Sequence, residues 1–322
     1  MKWIYDYFDY IEGFPKPNWE EIYSFVEKNH VDDDPHEVWC GIAKSWCEDL
    51  APRISKRAQL FESDNFILVT EDSNKFPSLY LPFLERTLKR ITSSLPGIAT
   101  DQGYGKFVVL VFEDMDKYYS YLSNYSQVEG EFALSSGVFL NRGYGHFAFP
   151  MQDINTAEGV AVHEMTHALV SHLPLPLWLN EGIAVNTESA LTGFPPLRMD
   201  KKLFDHHERF WGESEIQEFW SGKSFSRPDE GSGLSYNLAQ FAVHSLSRDY
   251  EVFVEFVNNA DFSDAGEAAA NEVYEGSLGN LIAQYFGEGE WTPDPTVWGW
   301  EHTNKSFKER TASYVGGPLT RR

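Results

Sequence analysis

His163-Glu164-Met165-Thr166-His167 carries the residue types and spacing of a reaction centre. On an α-helix, residues four apart share a face, so His163 and His167 can turn two imidazoles to one metal ion. Glu164, beside the first of them, then leans over the same cation. A catalytic zinc takes three protein ligands and keeps a fourth position for water. Glu181, fourteen positions past His167 in Trp178-Leu179-Asn180-Glu181-Gly182, can bring a carboxylate from a following helix and complete a His2Glu set. The chemistry expected of such a set is hydrolysis. Zn2+ lowers the pKa of a water, Glu164 takes its proton as general base, and the water attacks a polarised carbonyl.

The motif has to sit on a helix, and residues 155 to 173 read as one. They hold no proline, they start with Asn155 and Glu158 at capping-box spacing, and they stop where Pro174 forbids further helix. The same string would also arise from two ordinary histidines on a buried helix; Glu181 downstream favours the metal. A metzincin would need a glycine three positions after the second histidine and a third histidine six after it, where this chain has Val170 and Leu173. His172 is one residue short of that place and reads as a cap on the helix C-terminus. Asp205, His206 and His207 also cluster, but neighbouring helical residues diverge, so they read as surface.

On HEMTH and WLNEG the chain resembles the gluzincin branch of the HExxH zinc metallopeptidases, and in particular the small peptidase MA-like domains. The resemblance runs from Phe61 to about Trp291: a strand (NFILVT), a helix (LYLPFLERTLKRITSSL), a strand (KFVVLVFED), a helix (DKYYSYLSNY), an edge region (SSGVFLNRGYGHFAFP), the HExxH helix and the WLNEG helix. It implies an α+β, zincin-like fold. A small mixed sheet and the active-site helix would form an upper lobe, a mainly helical lower lobe would follow, and a cleft would lie between them. The interval from His167 to Glu181 is shorter than in thermolysin-like and aminopeptidase N-like enzymes, so substrate preferences do not carry over.

The resemblance also implies roles for further residues. Glu188, seven positions beyond Glu181, stands where aminopeptidase-type gluzincins carry an acid, which could orient a zinc-bound histidine through its free ring N–H; a solvated surface glutamate is the alternative. Related enzymes place a transition-state tyrosine in a helix like the one expected after Gly231-Ser232-Gly233. Ser235 would be its N-cap and Ala239, Val243 and Leu246 its apolar face, which makes Tyr236 the candidate donor to an oxyanion. In zincins a strand bordering the cleft pairs with the substrate backbone. The candidate here runs from Ser135 to Met151, with Gly137, Val138 and Phe139 as substrate-binding residues, although its glycines could equally make a hairpin. The Gly-x-Met-Glu-Asn segment of the aminopeptidase group is missing from that run, so an aminopeptidase is not favoured.

Composition bounds the rest. With 42% hydrophobic and 16% aromatic residues, the 322-residue chain can bury one large core or two modest lobes. Forty-nine acidic against 26 basic residues give a net charge of −23. Nucleic acid and anionic membranes are therefore not expected partners; a peptide or protein substrate is what the resemblance implies. Cys40 and Cys47 fit neither a CxxC pair nor a zinc ribbon and read as reduced thiols in a helix. The start, MKWIYDYFDYIEGF, lacks the pattern of a signal peptide, and a cytoplasmic protein is expected. Residues 1–60 read as an N-terminal helical extension and 61–290 as the metallopeptidase domain, with an α/β lobe over 61–175 and a helical lobe over 176–290. Residues 291–322 read as a C-terminal tail with Trp291, Trp298, Trp300 and a basic end. Two other function classes share the site: a zinc hydrolase of nonpeptide substrates, and a noncatalytic relative that keeps zinc.

Overall fold

A computed structural model of the chain describes residues 1–73, 75–101, 103–126, 136–152, 154–193 and 198–299. It opens with a hairpin. β1 (Phe8–Ile11) and β2 (Phe14–Pro17) pair antiparallel around Glu12 and Gly13, whose φ values of 50° and 86° belong to a two-residue type I′ loop. Pro15 and Pro17 face Tyr10 and Phe8. Those alternate positions of an antiparallel pair need no ladder donor, so proline fits. α1 (Trp19–Asn29) starts at Asn18, whose side chain accepts from the Glu21 N–H. α2 (Pro35–Ile54) starts at Asp34, with Pro35 in its first turn.

A five-stranded sheet follows. β3 (Gln59–Glu62), β4 (Phe66–Thr70), β5 (Phe107–Phe112), β6 (Val138–Leu140) and β7 (His146–Pro150) lie in the order β3-β4-β5-β7-β6. β4, β5 and β7 are parallel; β3 and β6 run antiparallel at the two edges. Parallel neighbours need crossovers, and α3 (Phe76–Ser94) and α4 (Met115–Ser123) lie in them. The unbroken apolar runs of β4 and β5 are buried on both faces, as parallel strands under helices must be. Ile67, Val69, Val108 and Leu110 share one core with Trp39, Trp46 and Leu50 of α2. On the other face, Val111 and Phe149 line a small cavity together with Tyr80 of α3.

The first sixty residues, expected as a helical extension, thus hold a hairpin as well as helices and belong to the core of the sheet. Trp39 and Trp46 face inward because α2 lays its apolar stripe on the strands. Cys40 and Cys47 are both free thiols on α2, as expected.

The remaining described chain is helical: α5 (Ile154–Val170), α6 (Leu177–Thr192), α7 (Lys201–Phe210), α8 (Glu213–Trp220), α9 (Gly231–Leu246), α10 (Tyr250–Asn259), α11 (Glu267–Val273) and α12 (Leu278–Phe286). Trp178, Phe219, Trp220, Leu238, Phe253 and Phe256 centre a second core. Its two deepest indoles are satisfied: Trp178 donates to the Ala265 carbonyl at 3.0 Å and Trp220 to the Trp291 carbonyl at 2.7 Å. Trp291 and Trp298 are buried in the same core, so the segment expected as a tail is packed as far as Trp298. Trp300 and the basic end to Arg322 lie outside the described residues, as does Ser135. By contacts the described residues form two compact units, residues 1–93 with 100–168 and residues 94–99 with 169–299. The class is α+β, and no helix among the described residues is long and apolar enough to cross a membrane.

Two buried histidines predict an acid-sensitive fold. His146, on β7, is fully enclosed; its Nδ1 donates to the Tyr144 carbonyl (2.8 Å) and its Nε2 accepts from the Tyr121 hydroxyl (2.7 Å). His207 corrects the expectation of a surface cluster. α7 turns it among Trp211, Phe241 and Phe286, where Nδ1 accepts the Trp211 indole N–H at 2.8 Å. Its neighbour His206 stays part-exposed and pairs with Glu230 at 2.7 Å. Burial pushes both His146 and His207 down to about 4. An unfolded histidine titrates near 6.5, so below that pH the unfolded chain binds protons that the folded one refuses. The stabilisation is complete above about pH 6.5 and is lost as pH falls toward 4, on the order of 3 kcal/mol per histidine. The urea midpoint of the metal-free chain is expected to drop between pH 7 and pH 5; a flat midpoint over that window would contradict this.

Candidate metal centre

α5 is a buried helix with one wet stripe. Ala161, Val162, Met165, Thr166, Ala168, Leu169 and Val170 are buried, whereas His163, Glu164 and His167 are part-exposed. Even the Thr166 hydroxyl is turned back onto the Val162 carbonyl at 2.7 Å. The residues with chemistry are therefore the ones that the helix leaves accessible. The helix differs at both ends from the expected span. It begins at Ile154, so Asn155 lies within it and not at a cap, and it ends at Val170, before Pro174. His172 follows the helix end by two residues; burial lowers its pKa, against a smaller raising effect of the Leu169 backbone.

The imidazoles of His163 and His167 stand edge to face with centroids 4.7 Å apart. One ligand atom each from His163, His167 and Glu181 lie within 4.8 Å of one another, all three side chains being half-buried. Tetrahedral ligands at about 2.1 Å from one ion are about 3.4 Å apart, the same order as the separation of these donors. Oε2 of Glu181 is shielded from solvent. Two imidazoles and one carboxylate are donors that zinc accepts, and one negative ligand leaves part of its charge to polarise a substrate. The residues present fit the metal.

Glu181 is held by helix packing. An added Cβ on Gly182 would sit 2.5 Å from Val243 Cγ2 and 2.6 Å from the Ala239 carbonyl oxygen, so only glycine lets α6 and α9 approach this closely. Asn186 then clamps the pair, donating to the Gly182 and Gln240 carbonyls at 2.7 and 3.0 Å. The small residue inside WLNEG carried that signal in the sequence.

α9 itself starts five residues earlier than expected. Gly231-Ser232-Gly233 is helical, with Asp229 accepting from the Gly231 N–H at 2.9 Å. Ser235 is thus no N-cap; its buried hydroxyl contacts Ser224 Oγ at 2.6 Å and the Gly231 carbonyl at 2.7 Å. Ala239, Val243 and Leu246 are buried as expected. Tyr236 lies one turn before Ala239, half-buried, its ring edge-on to Phe225 at 5.2 Å. Glu188 lies half-buried on α6, seven residues past Glu181, with the Thr192 hydroxyl on its backbone carbonyl.

β6 is an edge strand, antiparallel to β7, and Gly137 immediately precedes it. The backbone N–H of Phe139 donates to Oε2 of Glu164 at 2.7 Å. This bond, between residues 25 apart in sequence, could not be read from either motif. No protein-family model matches the chain, and no curated protein matches it significantly in sequence.

Proposed function

We propose that the chain is a zinc-dependent metallopeptidase of gluzincin type and zincin-like fold, not an aminopeptidase, acting on peptide or protein substrates in the cytoplasm. The observation that carries this reading is the convergence of His163, His167 and Glu181 beside Glu164. When bound there, zinc would activate water and polarise a carbonyl. His163, His167 and Glu181 hold the ion, and Glu188 orients a ligand ring. Glu164 takes the proton of the attacking water and returns it to the leaving amine. Tyr236 donates a hydrogen bond to the oxygen on which charge develops.

A peptide bond suits this set because its amine leaves only when protonated, and Glu164 is the group placed to do so. The test is digestion of a diverse peptide mixture by the zinc-supplemented chain. Cleavage that stops with a chelator and returns with zinc is expected. An intact mixture, together with turnover of an ester or another nonpeptide bond, would overturn the peptidase reading.

A further inference from the structure

Glu164 acts as a base only if its carboxylate stays aimed, and its side chain has three torsions to lose. One oxygen is already fixed by Phe139. In the antiparallel register, Phe139 stands opposite Phe147, and its N–H is turned away from β7 onto Glu164 Oε2 at 2.7 Å. Such a charge-assisted bond is stronger than a neutral one. The ring of Phe139 packs on Phe147 with centroids 5.1 Å apart, which holds the amide in place from the sheet side.

The depth of the strand is set two residues earlier. A Cβ on Gly137 would run into the Phe149 ring and lie 2.6 Å from Val160 Cγ1. Val160 is one turn before Glu164 on the same face of α5. Any side chain at 137 would therefore push the entry to β6 off the helix that carries the base.

We infer that β6 positions the general base: the Phe139 N–H fixes the Glu164 carboxylate, and the bare Cα of Gly137 sets the approach that makes the bond possible. Phe139 is a positioning residue through its backbone, in addition to any contact with substrate. The inference rests on the reading of Glu164 as the base. Misplacing a reacting group by about 1 Å costs about 100-fold in rate, so losing this bond should lower turnover by about 10- to 100-fold.

Two measurements test it. The first needs no activity: hydrogen exchange of the Phe139 amide in the wild type and in Glu164→Ala. An edge-strand amide exchanges readily unless something holds it, so protection should fall about tenfold or more in the variant. Equal protection would overturn the inference.

The second replaces Phe139 by phenyllactate, which exchanges the N–H for an ester oxygen and keeps the ring. Zinc content should be unchanged and kcat should fall by more than KM changes, and Gly137→Ala should do the same. Wild-type turnover in the ester variant would overturn the positioning role even if exchange had changed. A zinc-loaded wild type that cleaves no peptide would instead sink the peptidase reading, and the exchange experiment would then decide whether the strand holds Glu164.

Discussion

Glu164→Gln should retain one zinc per chain and lose about 100- to 10,000-fold in turnover, the range set by removing a positioned general base. The amide is nearly isosteric, so α5 should keep its packing, and the ligand set does not include Glu164. What disappears is the ability to accept a proton from water and deliver it to the leaving nitrogen. A glutamine in the same place can keep the Phe139 N–H on its carbonyl oxygen, and what it then offers a water is an NH2, a donor and no base. The loss should therefore appear in kcat more than in KM. Loss of the metal in this variant would show that Glu164 is a ligand and would remove it from its assigned role.

Zinc added to the stripped chain should raise its melting temperature, and Glu181→Ala should abolish most of that rise. Binding to the folded form alone stabilises it by about 2.7 kcal/mol at a hundredfold excess over Kd, which for a chain of this size is a shift on the order of 5 °C. Glu181 supplies the one negative ligand of the set, and the two histidines alone would leave the ion under-coordinated. A shift of equal size in the variant would mean that zinc binds elsewhere or without Glu181. The unliganded variant should still fold, since Gly182 and Asn186, which join α6 to α9, are unchanged in it.

The group that could hold a metal was legible because its information is local. His163 and His167 are related by one helical turn, and Glu181 comes from the next helix after a short Pro-rich turn. The central strands were equally plain: Phe66–Thr70 and Phe107–Phe112 are apolar runs too short for helices. The N-terminal hairpin was missed for a physical reason. Pro15 and Pro17 argue against a strand, and only the register shows that they fall where no donor is required. The start of α9 was misplaced because two glycines read as a turn, whereas Gly231 is helical and caps onto Asp229. His207 was read as surface because neighbouring helical residues diverge in direction. Its burial among Trp211, Phe241 and Phe286 depends on where α7 lands. The Phe139–Glu164 bond lies beyond any local reading, since it joins a sheet edge to a helix.

The central claim is that His163, His167 and Glu181 form one zinc site. Elemental analysis of the purified chain after reconstitution and removal of loose metal tests it most directly, with Glu181→Ala measured alongside. About one zinc per wild-type chain, falling sharply in the variant, is the result expected of a three-ligand site. Wild-type protein that holds no zinc, or a variant that holds as much as the wild type, would contradict the account.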